Sequence, residues 1–162
     1  MLPIQTMGGY TMASDEHSDD VRAIEAVIAR QFASLTWAPG TSADWDRFAA
    51  DFFPEASLYP AVRPAKRQTV EAFIERMKGL AGTTLRSFGE AVLGTEIRVF
   101  GNVAVALAAC GMTENGAEVN RDVEMLLLIK NEGAWQIVSQ AWDTESPSKR
   151  IPMHLMGGAA RE

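Results

Sequence analysis

The stretch from Glu96 to Glu145 constrains the fold most, because it holds four apolar segments separated by three short turn signals. Gly101-Asn102 and Asn115-Gly116 contain residues that tolerate a positive φ, so each can close a tight two-residue hairpin. Asn131-Glu132-Gly133 can close a third hairpin. These signals predict four consecutive antiparallel strands.

Three helices are predicted before these strands, because apolar residues recur at helical spacing in three separate segments. Ser18-Asp19-Asp20 provides an N-cap and an acidic first turn for the first helix, and Thr41 with Asp44 resembles a capping box for the second. The segment 56–59 is long enough only for a short edge strand. The three apolar stripes are Val21, Ile24, Ile28, Phe32 and Leu35; Trp45, Phe48, Phe52 and Phe53; and Val70, Phe73, Ile74, Met77 and Leu80.

Three helices followed by four strands predict an α+β fold, in which a strongly curved, mainly antiparallel sheet packs on the helices. A curved sheet of this kind encloses a cavity. The chain length of 162 residues suits a single domain. We expect that domain at residues 18–146, with a flexible segment at 1–17 and a partly docked C-terminal tail at 147–162.

Composition excludes several classes of partner. A net charge of -6 disfavours nucleic acid and anionic membranes, which require clustered basic residues. The single cysteine, Cys110, cannot form an internal disulfide, and the N-terminal residues lack the pattern of a signal peptide. The expected location is therefore the cytoplasm. Both histidines, His17 and His154, fall outside the predicted sheet, so we expect neither a metal nor another cofactor.

Three segments resemble the nuclear transport factor 2-like superfamily, which has a cone-shaped α+β fold. The likeness covers residues 18–145, and the ending of the chain resembles an uncharacterised bacterial branch of that superfamily. The resemblance implies a ligand cavity on the concave face of the sheet and pairing of two subunits through the convex face. The segments are Phe52 to Leu58, Val99 to Val105 and Gly133 to Ser139, and the ending is Trp142 to Pro147 with Ile151-Pro152.

Strand alternation divides the side chains of the sheet into two faces if the first two turns contain two residues each. A one-residue bulge would exchange the two sets downstream of it. One set is almost wholly apolar, and we expect it to form a homodimer interface that includes Trp135 and Ile137. The other set contains Glu96, Arg98, Phe100, Val103, Val105, Leu107, Asp122, Glu124, Leu126, Leu128, Val138, Gln140 and Trp142.

Glu124 is the leading candidate for a functional residue, because it interrupts a run of apolar residues where an unpaired carboxylate would be costly to bury. The predicted register places Arg98 near it as a counter-ion. One interpretation makes Glu124, with Asp122, a general acid or base whose pKa is raised by burial. The other interpretation is a structural salt bridge at the cavity rim.

Several further residues are candidates for ligand binding. Gln140 and Trp142 share the predicted face of Glu124, where the amide would orient a ligand and the indole would form an apolar wall. Leu126 and Glu96 lie on the same predicted face. The hydroxyl group of Tyr59 is expected near the mouth of the cavity.

The resemblance also implies several activities, which differ in the side chains they require. The catalytic set of ketosteroid isomerase is not matched, because the position of its base falls at Pro60 and that of its second Asp falls near Leu126. The cavity histidines of scytalone dehydratase are also missing. An epoxide-hydrolase-like site of carboxylates with an arginine is matched in chemical type by Arg98 or Arg121 with Asp122, Glu124 and Asp143. A SnoaL-like site needs one cavity acid, which Asp122 or Glu124 would supply.

The sequence therefore predicts a homodimer whose cavity binds a small, largely apolar molecule. Two alternatives remain open at this stage. The first is a SnoaL-like or epoxide-hydrolase-like enzyme that uses a cavity carboxylate without a cofactor, as an isomerase, cyclase or hydrolase. The second is a non-catalytic dimerisation or partner-binding domain.

Overall fold

The structure, a computed structural model, describes residues 10–157 of the chain. These residues form three α-helices, six strands and a final turn of 3-10 helix at Met153–Leu155. The helices are α1 (Tyr10–Ser34), α2 (Trp45–Ala50) and α3 (Val70–Ala81). The strands are β1 (Phe52–Tyr59), β2 (Gln68–Thr69), β3 (Phe88–Phe100), β4 (Val103–Glu114), β5 (Ala117–Asn131) and β6 (Ala134–Thr144).

All six strands belong to one sheet in the order β2-β1-β6-β5-β4-β3. Every neighbouring pair is antiparallel except β1 with β6, which is parallel. The apolar stripes of the helices pack on one face of this sheet, and Ile24, Ile28, Phe73, Leu128 and Ile137 lie in the shared core. The predicted α+β fold is thereby confirmed.

The predicted turns close the hairpins between the long strands. Asn115 and Gly116 join β4 to β5 with φ values of 50° and 85°. Glu132 and Gly133 join β5 to β6 with φ values of 51° and 81°. Both turns therefore use the left-handed region, which asparagine and glycine adopt at low cost.

Two irregularities in the sheet correct the predicted assignment of faces. Thr113 pairs with Glu118, but Met112 pairs with Asn120, so Val119 is an extra residue in β5 and shifts all later pairs by one. Glu124 consequently lies opposite Ala108 rather than Leu107. Side chains alternate between the two faces of a sheet. A shift of one residue therefore moves each side chain of β5 to the face opposite the one predicted from β3 and β4.

A second extra residue, Val138, interrupts β6. Leu127 pairs with Ser139, whereas Leu128 pairs with Ile137. Trp135 and Ile137 therefore join the face that packs on the helices, where both are buried. The prediction that they lie on an outward dimer face is wrong, because the bulge at Val138 inverts the alternation within the strand.

The helical and terminal segments also differ in extent from the predicted elements. Helix α1 begins at Tyr10, upstream of the expected start at Ser18, while residues 1–9 and 158–162 lie outside the described part of the chain. Helix α2 ends at Ala50, and Phe52 opens β1 instead of continuing the helix. No helix in residues 10–157 is long and apolar enough to cross a membrane.

The C-terminal segment docks on the outer face of the protein's own sheet, away from the helices. Leu155 is fully buried and Ile151 nearly so, and both pack against Ala109. A Cβ atom at Gly94 would lie 2.6 Å from the carbonyl oxygen of Leu155, so glycine permits the close approach. The docked part of the C-terminal tail therefore lies against the outer face of the sheet.

Candidate functional site

A cavity of about 290 Å³ lies between the inner face of the sheet and the helices. This volume is near the lower limit of typical small-molecule sites, which span roughly 300 to 1,000 Å³. Its lining is divided between apolar side chains and polar side chains, and the polar ones come from α1, α3, β3, β4, β5 and β6. The apolar lining includes Phe32, Leu35, Phe48, Leu58, Phe73, Met77, Leu80, Leu85, Phe88, Met112 and Trp142.

Three buried polar side chains on the wall of this cavity form a hydrogen-bonded chain. The Nε2 group of Gln31 in α1 donates a 2.6 Å hydrogen bond to Oε1 of Gln140 in β6. The Nε2 group of Gln140 donates a 2.7 Å hydrogen bond to Oε2 of Glu124 in β5. All three residues are at least 96% buried, with exposures of 3%, 4% and 4%. Oε1 of Gln31 has no hydrogen-bond partner among the described residues.

Four carboxyl groups line the same cavity, and three of them, those of Glu90, Asp122 and Glu124, have a raised pKa. Withdrawal from water and the nearby Asp122 raise the pKa of Glu90 to about 8. Withdrawal from water, followed by the charge of Glu90, raises the pKa of Glu124 well above its usual range, although the hydrogen bond from Gln140 opposes the shift. Burial likewise raises the pKa of Asp122, against the opposing hydrogen bonds from Thr144 and Asn120. The wall of the cavity is therefore able to hold protons near neutral pH.

Cys110 lies beside two of these carboxyl groups. Its Sγ atom and the nearest carboxylate oxygens of Glu90 and Glu124 are all within 4.8 Å of one another, so the three could supply ligands to a divalent cation. Burial, followed by the neighbouring carboxylates, raises the pKa of the Cys110 thiol. A cation would have to displace protons from all three groups, because metal ligands bind in their deprotonated forms.

Aromatic rings form one wall of the cavity. The ring of Phe73 in α3 lies 5.4 Å from that of Phe48, nearly parallel to it, and 6.0 Å from that of Trp142, edge to face. The guanidinium group of Arg76, one helical turn along α3, lies 5.3 Å from the centre of the Phe73 ring. These rings present flat apolar surface to a bound molecule.

The structure brings together four of the predicted site residues and separates the others from them. Glu124, Asp122, Gln140 and Trp142 all line the cavity. Leu126 is buried on the same sheet face, next to Gln140 in the strand pairing.

Three other predicted site residues lie elsewhere. Tyr59 ends β1 and is 37% exposed, outside the residues that line the cavity. The predicted position of Arg98 beside Glu124 is wrong, because the extra residue at Val119 inverts the alternation. Arg98 instead bonds Glu96 on the outer face, where Glu96 also contacts His154 at 2.9 Å.

Two site residues were missed by the sequence analysis. Glu90 was overlooked because a bulge between Val92 and Gly94 places it on the inner face, whereas perfect alternation would put it on the same face as Glu96. Gln31 lies on the buried stripe of α1, three residues after Ile28. An amide at such a position is a sequence signal for a buried polar contact, and it could have identified Gln31.

The chain matches a known protein family over most of its length. Residues 19–143 match the model of a protein family described as "Putative lumazine-binding". Because this match spans most of the chain, the protein belongs to that family. No curated protein matches the chain significantly.

Many solved structures share the fold. A nuclear transport factor 2-like protein from Novosphingobium aromaticivorans, with a cystatin-like fold, has a TM-score of 0.69 at 13% identity, covering 89% of this chain and 96% of its own. A protein of unknown function from Mycobacterium tuberculosis has a TM-score of 0.69 at 19% identity, covering 92% and 84%. A cystatin-like protein of unknown function from Nostoc punctiforme has a TM-score of 0.65 at 14% identity, covering 80% and 94%. At these identities the likeness defines the fold alone.

Proposed function

We propose that the protein binds a small, flat molecule in the cavity, whose ring faces contact apolar side chains and whose edge carries hydrogen-bond donors and acceptors. The observation that carries this proposal is the buried chain of Gln31, Gln140 and Glu124 on the cavity wall. A buried acceptor left without a donor costs about 1 to 3 kcal/mol. An N–H group of a ligand would remove that cost at Oε1 of Gln31.

The family description suggests lumazine as the first candidate of this class. Lumazine is a fused two-ring heterocycle whose dione ring carries both N–H and C=O groups. In its protonated form, Glu124 would donate a hydrogen bond to a carbonyl group, and Gln31 would accept one from an N–H group. The rings of Phe73 and Trp142 would contact the apolar faces of the heterocycle.

Calorimetric titration with lumazine tests this proposal in the intact protein. We expect saturable binding by the wild type and a loss of about tenfold or more in Gln140→Leu, which removes one central hydrogen-bonding group. Gln136→Leu is the matched control, because Gln136 lies on the same strand but does not line the cavity. Absence of binding to the wild type, or equal losses in the two variants, would refute the proposal.

An enzymatic function is the second candidate, and the proximity of Glu90 to Glu124 favours it. A carboxyl group with a pKa of about 8 beside a second protonated carboxyl can exchange protons at neutral pH. In this version Glu124, assisted by Glu90 and Asp122, would move a proton or activate water, without a cofactor.

Hydrolysis of limonene oxide, followed by gas chromatography, tests the epoxide-hydrolase version. Glu124→Gln should retain lumazine binding, because the amide imitates a protonated carboxyl group, and should lose turnover. Wild-type conversion no faster than the uncatalysed reaction would exclude this chemistry.

We also propose that the protein is a cytoplasmic homodimer that pairs through the outer face of the sheet. The residues first expected at this interface, Trp135 and Ile137 among them, are covered by the helices. The proposed interface therefore consists of other residues. Exposed apolar side chains on β3, β4 and β5 share the outer face, where an isolated subunit would leave them in water. These are Phe100, Val103, Val105, Met125 and Leu127, and we call them the outer patch.

A further inference from the structure

Arg76 differs from the other groups that line the cavity, because it is the one basic side chain among the described lining residues. Its side chain is exposed, and its guanidinium group lies over the ring of Phe73. None of the described carboxylates lies within salt-bridge distance of it. Arg76 therefore presents an uncompensated positive charge where the cavity opens to solvent.

Two other arginine residues, in the loop after β1, are engaged in hydrogen bonds. Arg63 donates hydrogen bonds to the carbonyl oxygens of Pro60, Ala61 and Val62. Arg67 donates to the hydroxyl group of Ser57 and to the carbonyl oxygen of Glu55. Among the described residues, Arg76 forms neither a salt bridge nor a side-chain hydrogen bond, so its donors remain available to a bound molecule.

The remaining charges around the cavity decide whether an anion could approach Arg76. Glu124, Asp122 and Glu90 have raised pKa values, so the inner wall repels an anion less than its number of carboxyl groups indicates. Glu114 also lines the cavity but forms no salt bridge with Arg76. A guanidinium group offers a planar pair of N–H donors that matches the two oxygens of a carboxylate.

We infer that the natural ligand carries an anionic group, of the carboxylate class, which pairs with Arg76 while the opposite end of the ligand contacts Gln31 and Glu124. This inference rests on the proposed function, because it requires a ligand in the cavity. The inference adds Arg76 as a second contact for the ligand, at the mouth of the cavity, and it requires the ligand to carry a negative charge. The ligand is then an amphipathic molecule with a polar, uncharged edge inside and an acid at the entrance.

Titration with two matched probes tests the inference. Lumazine is the neutral probe, and 6-carboxylumazine carries a carboxylate on the ring distant from the dione. We expect the wild type to bind the carboxylated probe about tenfold more tightly, as one charge-assisted contact allows, and to lose this preference as salt is added. Arg76→Gln should abolish the preference, so that this variant binds the two probes with equal affinity. Lys78→Gln, on the same helix but outside the cavity, should keep the preference.

The outcomes separate the two proposals. Equal affinity for both probes in the wild type, or a preference that survives Arg76→Gln, would overturn the role of Arg76. Binding of lumazine in the same experiment would still support the proposed function of the cavity. Failure of both probes to bind would overturn the proposed function and this inference with it.

Discussion

The side-chain amide of Gln140 donates a 2.7 Å hydrogen bond to Glu124 although both residues are 96% buried, each with 4% exposure. An amide can stabilise either protonation state of a carboxyl group, but an ionised form would lack a compensating cation here. None of the described basic groups lies within 4.0 Å of Glu124. These surroundings therefore favour the protonated form of the Glu124 carboxyl group.

The stability of the fold should consequently fall as pH rises. Glu124 and Glu90 have folded-state pKa values above the ordinary value of 4.5, so the folded state retains protons that the unfolded state has lost. Their stabilising contribution is complete below about pH 4.5 and is lost progressively toward pH 8. Glu124→Gln should make this fall in unfolding free energy smaller, because the amide has no proton to lose.

Urea denaturation between pH 5 and pH 8 measures this effect. Glu96→Gln is the control, because Glu96 lies on the outer face and the neighbouring Arg98 and His154 lower its pKa. The unfolding free energy of this control should fall with rising pH as steeply as that of the wild type. The account would be contradicted if the wild-type unfolding free energy rose with pH over this range. It would also be contradicted if the unfolding free energy of Glu124→Gln fell with pH as steeply as that of the wild type.

Docking of the C-terminal segment should contribute measurably to stability. Leu155 is fully buried, so Leu155→Ala should cost about 2 to 5 kcal/mol of unfolding free energy. Met153, in the same 3-10 turn, is 73% exposed, and Met153→Ala should change stability by less than about 0.5 kcal/mol. Chemical denaturation compares the two, and equal effects would show that the segment is undocked in solution.

A related substitution tests the same contact from the sheet. Gly94→Ala would place its Cβ atom 2.6 Å from the carbonyl oxygen of Leu155 and displace the segment. Combining Gly94→Ala with Leu155→Ala should therefore destabilise less than the sum of the single changes, because both remove one contact. If the double variant lost as much unfolding free energy as the two single variants together, the contact between Gly94 and Leu155 would be contradicted.

Subunit pairing is predicted to depend on the outer patch. Light scattering after size-exclusion chromatography should give the wild type twice the chain mass of 17.6 kDa. Leu127→Glu places a charge among the exposed apolar side chains and should yield a monomer. Val62→Glu changes an equally apolar residue, 73% exposed but outside the patch, and should remain a dimer. A monomeric wild type would refute the interface.

The sequence predicted the hairpins because asparagine and glycine mark turns that need a positive φ. It could not predict the bulges at Val119 and Val138, because valine fits a regular strand as well as an irregular one. Each bulge exchanges the two faces, so the pairing of Glu124 with Arg98 was lost although the strands themselves were correctly predicted. Local signals thus identified the elements but not the register between them.

The candidate site shows the same division. Glu124 and Gln140 could be identified because each interrupts an apolar strand, where a polar group needs a partner. Glu90 escaped notice because an irregular edge strand has no reliable alternation. Arg76 gave no signal at all, since an arginine on a helix is ordinarily solvated.

The central claim is that a small heterocycle binds against the hydrogen-bonded chain of Gln31, Gln140 and Glu124 inside the cavity. The most direct measurement is nuclear magnetic resonance of the side-chain amide groups during titration with lumazine. We predict saturable shifts of the Gln31 and Gln140 side-chain signals, with those of Gln136 unchanged. Shifts confined to residues of the outer face, or no shift of the Gln31 and Gln140 signals at saturating lumazine, would contradict the account.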